Sequence, residues 1–261
     1  LVTGGSGFVG YSLSSSLAEK GAKVTVLDIK PLPPFAVLSK NYRKQISYVK
    51  GSITSPALVK KIIRSKKIKT IFHLAAEAIV GRSLKSPSHV LYMNIRGTWT
   101  VLEEARLSNN VEEIIVASSD KAYGSHTSLP YKEHFALQGK YPYECSKSCT
   151  DLIAQMYAET YNLPVAIARC GNIYGGGDLN GSRLIPDAIR SLFHGKKFSV
   201  RSNGKFLRDY IYISDVVNSY MLMAELLHSK KLHGMAFNFA NNKPLSVLKV
   251  LELLVLRQFH L

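Results

Sequence analysis

The segment Leu1-Val2-Thr3-Gly4-Gly5-Ser6-Gly7-Phe8-Val9-Gly10 decides the architecture. Leu1-Val2-Thr3 reads as the end of a β-strand whose beginning is absent, and an apolar pattern of helical spacing predicts a helix from Phe8 to Lys20. The glycines between them follow a G-x-x-G-x-x-G spacing. Gly4 permits the tight turn, Gly7 lets the backbone approach a pyrophosphate, and Gly10 lets helix and strand pack closely. The helix N-terminus adds N–H donors and a partial positive charge, so Gly4, Ser6, Gly7, Phe8, Val9 and Gly10 are candidate phosphate contacts. The next strand, Lys23 to Asp28, ends in a carboxylate that would accept hydrogen bonds from an adenosine ribose. Asp28 would also repel a 2′-phosphate, which favours NAD over NADP; Lys30 nearby softens that preference.

Further along, strands and helices keep alternating. After a loop with Pro31, Pro33 and Pro34, the sequence predicts a strand near Ile46–Val49, a helix near Pro56–Ser65 and a strand Thr70–Leu74. A long helix over Pro87–Asn109, a strand Ile114–Ala117, a helix Pro142–Tyr161 and a strand Pro164–Arg169 follow. Near-continuous apolar strands between helices indicate a parallel sheet covered on both faces. The expected fold is therefore α/β, a Rossmann-like doubly wound parallel sheet over residues 1–170. Beyond it, Gly175-Gly176-Gly177 and Gly181 mark loops and shorter elements, read as a small C-terminal substrate lobe over residues 171–261.

Composition narrows the classes. The chain has 261 residues, 46% apolar and 20% charged, which excludes a disordered protein. No apolar run approaches the roughly 20 residues a membrane helix needs, so no membrane partner is expected. Cys145, Cys149 and Cys170 cannot build a disulfide framework and suit a reducing compartment, so a cytoplasmic location is expected. No leader segment is visible before Leu1. The eight histidines lack metal-site spacing, so no metal is expected. The net charge of +16 would attract anions. The basic stretches Lys40–Lys50 and Lys60–Lys69 are read as a surface loop and a solvated helix face, which makes nucleic acid an unexpected partner.

Two further groups of residues carry chemistry. Tyr143 and Lys147 stand four apart in the predicted helix 142–161, hence one turn apart on one face. A phenol has a pKa near 10, too high for a base at neutral pH, and an ammonium or an oxidised nicotinamide nearby would favour the phenolate. Ser118-Ser119-Asp120-Lys121 ends the fifth strand. Ser119 could hydrogen-bond a substrate hydroxyl, with Asp120 and Lys121 as an acid/base pair in the cleft.

Together, the Thr3–Gly10 turn, His73-Leu74-Ala75-Ala76, Asn94-Ile-Arg-Gly-Thr98, Tyr143 to Lys147, Arg169-Cys170-Gly-Asn172 and Arg208–Asp215 resemble the extended short-chain dehydrogenase/reductase family that modifies nucleotide sugars. The resemblance implies Ser119, Tyr143 and Lys147 as the catalytic triad and Asn172 and Arg208 as holders of the substrate diphosphate. It implies cofactor contacts from Leu74, Ala75, Ala76, Asn94, Tyr143, Lys147 and Cys170. Ser52 and Ile53 stand where many members carry Asp-Ile, so Ser52 would meet adenine with a weaker hydrogen bond than the usual Asp. Within the family, Ser119-Asp120-Lys121 and Arg169–Asp178 followed by Arg183-Leu-Ile-Pro-Asp187 resemble CDP-glucose 4,6-dehydratases. Glu77, Arg82 and Arg183 then join the substrate contacts. The glycine-rich opening is more epimerase-like.

Family members usually continue past the position of Leu261, so the substrate lobe is expected to be incomplete. The expected function is an NAD-dependent nucleotide-sugar 4,6-dehydratase working through a 4-keto intermediate, with a 4-epimerase as the alternative. A non-catalytic NAD- or RNA-binding relative is a second alternative, against which Tyr143 and Lys147 speak. The resemblance also implies a homodimer through the helices 87–109 and 142–161.

Overall fold

A computed structural model describes residues 1–33, 45–200 and 202–258. Pro34 of the Pro-rich loop and the Lys40–Lys44 part of the basic stretch lie outside the described residues. The chain runs β1 (Val2–Thr3), α1 (Phe8–Glu19), β2 (Val24–Asp28), β3 (Ile46–Lys50), α2 (Pro56–Ser65) and β4 (Thr70–His73). Then come α3 (Val80–Lys85), α4 (Pro87–Leu91), α5 (Gly97–Arg106), β5 (Glu113–Ser119) and α6 (Pro142–Tyr161). It continues with β6 (Val165–Cys170), β7 (Asn172–Tyr174), α7 (Leu184–Phe193), β8 (Leu207–Arg208), β9 (Tyr210–Tyr212) and α8 (Ile213–Leu226). β10 (Ala236–Phe239), β11 (Leu245–Ser246) and α9 (Val247–Gln258) complete it.

Seven strands form one sheet in the order β10-β6-β5-β4-β1-β2-β3. Every pairing in it is parallel. Alternate residues of the buried strands feed two apolar layers. Leu1, Leu27 and Ile114 face one with α2, α5 and α6, whereas Val2, Val26 and Ile115 face the other with α1 and α8. Each fully buried aliphatic side chain contributes about 1.5–3 kcal/mol. The strand order reverses between β1 and β4, which opens a crevice at the strands' C-terminal ends.

Local chemistry starts and stops the helices that matter. Pro142 occupies the first turn of α6, and the Glu144 carboxylate accepts the Tyr141 N–H at 3.3 Å, which satisfies a donor at the helix start. Asn162, left-handed at φ 53°, ends it. The expected single helix over 87–109 is instead α4 and α5 joined by a π-helical turn, Tyr92–Arg96. Such widened turns gather at functional sites. This one seats the buried Asn94, whose Oδ1 accepts the Glu77 N–H at 2.7 Å and whose Nδ2 donates to Glu77 O at 3.2 Å and Ser146 Oγ at 2.9 Å.

Past β6 the chain does not leave the sheet for good. β7 pairs with β9 and β8 with β11 outside it, but β10 returns as the seventh strand beside β6, with Ala236 opposite Ile167. Among the described residues no helix is long and apolar enough to cross a membrane.

Candidate active site

The turn after β1 is shaped by contacts that leave no room for side chains. Gly4 sits at φ +71°, and a Cβ there would lie 2.8 Å from the Ala75 backbone after β4. A Cβ on Gly10 would run into the Gly4 carbonyl. Gly7 heads α1 with no side chain capping it and no acidic residue in the first turn, so the helix end is left to a negative ligand. Asp28 reaches this turn: its carboxylate accepts the N–H of Ser6 at 3.0 Å and of Lys30 at 2.9 Å. Glycine cradle, free helix start and carboxylate together fit an adenine dinucleotide.

The strand after the cradle is tied down from below. His73, buried in β4, bonds Thr3 Oγ1 through Nδ1 at 2.8 Å and Thr98 Oγ1 through Nε2 at 3.1 Å. Burial first, and the Lys147 ammonium second, push its pKa down to about 3, so it stays neutral. Thr3 Oγ1 also accepts the Ala75 N–H at 3.2 Å, which sets the Leu74–Ala76 bend against the glycine turn.

A cleft of about 690 Å³ opens above β4, β5 and β6. It gathers Val9, Leu74 and Ala76 from the cofactor side, Ser119, Asp120, Lys121, Tyr143, Lys147 and Cys170 at its centre, and Asn172, Arg183 and Arg208 on the far side. Among the other expected residues, Gly4, Ser6, Gly7, Phe8, Gly10, Asp28, Ala75, Asn94, Glu77, Arg82, Ser52 and Ile53 do not line this cleft. Asn94 acts as a clamp for the Glu77 loop, as described above. Glu77 accepts the Ile79 N–H at 3.1 Å and lies 3.7 Å from Arg82, so both are engaged within their own loop. Ser52 Oγ bonds Thr54 Oγ1 at 2.8 Å, and the Ile53 side chain is buried in the core.

Ser119 stands beside Tyr143 and its hydroxyl works to lower the pKa of the phenol. Ser119 Oγ donates to Asp120 Oδ1 at 3.1 Å and accepts the Lys121 N–H at 3.2 Å, and Lys121 Nζ stands 3.2 Å from Asp120 Oδ2. Ser119, Asp120 and Lys121 thus form one continuous chain next to Tyr143. The Lys147 ammonium is buried, donates to Ala117 O at 2.6 Å, and has its pKa pushed down to about 8 by burial. Desolvation raises Tyr143 to about 12; Ser119 and, more weakly, Arg183 oppose this, and Asp120 adds to it. The phenol is therefore protonated at neutral pH, and the oxidised nicotinamide expected from the sequence to favour the phenolate acts only when NAD is bound.

On the far side, Arg183 NH1 lies 3.0 Å from Asp178 Oδ2, an acid that motif reading passed over although it closes the Arg169–Asp178 string. Tyr174, Tyr210 and Tyr220 also line the cleft. Tyr220 donates to or accepts from Cys170 Sγ at 3.4 Å, and nothing in its surrounding apolar helix pattern signals it. Arg208 is exposed, with its guanidinium 5.8 Å from the Phe206 ring centre, and the Asn172 amide donates to Asp209 O at 3.2 Å. Cys145, Cys149 and Cys170 are free thiols. Among the described residues no cluster of three or more His, Cys, Asp or Glu side chains is arranged to hold a metal.

A parallel sheet with this strand order, a glycine cradle at its switch point and a Ser/Tyr/Lys group beside it define a dinucleotide-dependent enzyme of the doubly wound class. Residues 1–240 match the NAD dependent epimerase/dehydratase family, and the chain belongs to it, with NAD as its cofactor. The chain is 29% identical to a dTDP-D-glucose 4,6-dehydratase of Bos taurus over 98% of its own length and 71% of that protein. It is 30% identical to a UDP-glucose 4-epimerase of Halalkalibacterium halodurans, over 97% of its length and 78% of that protein. Its structure superposes on the dTDP-glucose 4,6-dehydratase of Streptomyces venezuelae, solved with NAD bound, at a TM-score of 0.87 and 27% identity. That match covers 97% of this chain and 79% of the other.

Proposed function

We propose that the protein is an NAD-dependent nucleotide-sugar 4,6-dehydratase. The observation that carries this is the Asp120–Lys121 pair joined to Ser119 beside Tyr143 inside one cleft. When bound, NAD would supply a reversible hydride acceptor for the oxidation at C4 and the reduction at C6. Gly4, Gly7 and Gly10 would hold its pyrophosphate and Asp28 its adenosine ribose, with Ser52 near the adenine. Tyr143 would first lose its own proton, helped by the Lys147 ammonium and the positive nicotinamide, and as the phenolate accept the proton of O4, with Ser119 orienting that oxygen and Lys147 holding the nicotinamide ribose. The new 4-ketone acidifies the C5 proton. From the form of the pair in which the proton has moved from Lys121 to Asp120, Asp120 would give a proton to the departing O6 while Lys121 removes the C5 proton, so that one water leaves. The Lys121 ammonium would then return the proton to C5 as hydride adds at C6. Asn172, Arg183 and Arg208 hold the diphosphate, whereas Glu77 and Arg82 stay engaged in their own loop outside the cleft.

The chain would divide into an NAD-binding domain over residues 1–170 and a substrate lobe over 171–261, to which β10 is an exception. Two copies would pair through α4–α5 and α6, where Tyr92, Trp99, Leu152 and Met156 are exposed. Three free cysteines support a cytoplasmic site.

The test is incubation with a panel of nucleotide sugars, read by mass spectrometry for loss of one water, on wild type and Asp120→Asn. Only dehydration expels O6, so Asp120→Asn should show NADH absorbance with substrate yet lose product formation at least about a hundredfold. The epimerase reading draws on the Halalkalibacterium halodurans relative. An unchanged mass with inverted C4, at equal rates in both proteins, would establish it instead.

A further inference from the structure

Ser119 and Asp120 lead into a single 3₁₀ turn, Asp120–Tyr123, followed by Gly124 at φ +69°. A lone 3₁₀ turn has poor hydrogen-bond geometry and does not hold its own position. What holds it lies at the far end. The Tyr123 ring is fully buried and stacks on Tyr131 at 4.9 Å between centroids. Its hydroxyl donates to Asn238 Oδ1 at 2.7 Å and accepts from Arg169 NH1 at 2.7 Å, under a guanidinium 4.8 Å from the ring centre. Ala122 O, one residue back, accepts from Ser148 Oγ of α6 at 2.8 Å.

Arg169 is itself clamped. Nε and NH2 grip both oxygens of Asp151 at 2.8 Å each, and NH1 also donates to Glu133 O at 2.8 Å. Asp151 is wholly buried on α6. It follows Tyr143 and Lys147 at successive four-residue steps, so all three share one helix face. One guanidinium therefore links the helix that carries Tyr143 and Lys147 to the turn that carries Ser119 and Asp120. A planar fork that is bidentate to a carboxylate has little freedom left to drift.

We propose that Arg169 and Tyr123 form a positioning unit that keeps Ser119 and Asp120 in register with Tyr143. The proposal rests on the reading of those three as the reacting groups. Neither residue of the unit touches the reacting atoms; their effect passes through the turn. A misplacement of about an ångström in such a site can cost about a hundredfold in rate.

The test is Tyr123→Phe, which keeps the ring and removes one hydroxyl. Expected is a fall in kcat of about ten- to a hundredfold for NADH formation with substrate, at unchanged KM and NAD affinity. The acid limb of the kcat–pH profile should move to higher pH. Tyr143 loses the nearby Ser119 hydroxyl that lowers its pKa, and with it the smaller opposing push of the Asp120 carboxylate, while Arg183, Cys170, Lys147 and Tyr220 around it stay in place. A partly unfolded protein would lower the amplitude without moving that limb. Isotope labelling of the tyrosine ring carbon that bears the oxygen, with the Tyr143 signal assigned by its loss in Tyr143→Phe, reads the same contact without turnover. That signal should shift in Tyr123→Phe whatever sugar the enzyme takes. An unmoved signal overturns the positioning role even where the dehydratase reading stands. A shifted signal in a protein that dehydrates no sugar supports the role while removing that reading. Should Tyr123→Phe fail to fold, Asn238→Ala, which removes the acceptor of the Tyr123 proton together with the Asn238 Nδ2 bond to Tyr131 O, carries the same comparison.

Discussion

On the cofactor side of the cleft, position is set by backbone. Gly4 abuts the Ala75 main chain, Gly10 abuts the Gly4 carbonyl, and the main-chain N–H groups of Ser6 and Lys30 meet Asp28. On the substrate side, position is set by side-chain pairs reaching out of short elements, such as Arg183 to Asp178. Backbone contacts cannot be adjusted one at a time, because a shift in one turn moves the strand and helix it joins. Side-chain pairs can be exchanged singly. The cofactor side is therefore the inflexible half of the site, and the substrate side is where relatives sharing this fold can differ.

The largest expected effect falls at the seam between the halves. Tyr143→Phe should reduce turnover by about 10²–10⁴-fold, since the proton acceptor for O4 is gone while the ring still packs. NAD affinity by calorimetry should be nearly unchanged. If more than about a tenth of the rate survives, another group takes that proton.

Gly10→Ala would break the backbone-built half. Its Cβ has nowhere to go except into the Gly4 carbonyl, and the resulting strain should cost about 1–3 kcal/mol of stability. NAD affinity should fall with it, and a thermal melt with and without NAD measures both. A variant that melts and binds like wild type would show the cradle to be more yielding than its contacts suggest.

His73 sharpens the same half through pH. Its pKa, about 3 when folded, lies below its ordinary value of 6.5, so the unfolded chain binds the proton more readily. The stability it confers is fully present above pH 6.5 and is lost as pH falls toward 3, at up to about 1.4 kcal/mol per pH unit. Urea unfolding between those limits should show a shallower acid slope in His73→Gln than in wild type. Equal slopes would assign the acid sensitivity to other groups.

The smallest effect belongs to the substrate side. In the Arg183–Asp178 pair the arginine side chain is 40% open to water but the Asp178 side chain is nearly buried, so the carboxylate needs a cation there and a lysine can still supply one. Arg183→Lys should leave the melting temperature alone and raise KM for the nucleotide sugar by a few-fold through loss of the planar fork. A large fall in melting temperature would mean that this half too is structural.

Local rules were enough for much of the site. The Gly4–Gly10 spacing, the carboxylate at the end of β2 and the four-residue step from Tyr143 to Lys147 are all short-range, so sequence alone determined the cradle, the cofactor class and one face of α6. Tertiary structure decided the rest. No local pattern announces that Phe237 and Asn238 return to pair with β6, because strand partners are chosen by the sheet edge left open. Asp151, Arg169 and Tyr123 are far apart in the chain, and each reads alone as an ordinary polar residue. Only the folded core, where a charge must find its counter-charge and a hydroxyl its partner, brings them together. The protonation of Tyr143 belongs to the same category. Spacing put Lys147 beside it, but burial raised the phenol's pKa, because the cost of desolvating a charge depends on the walls around it and not on its neighbours in sequence.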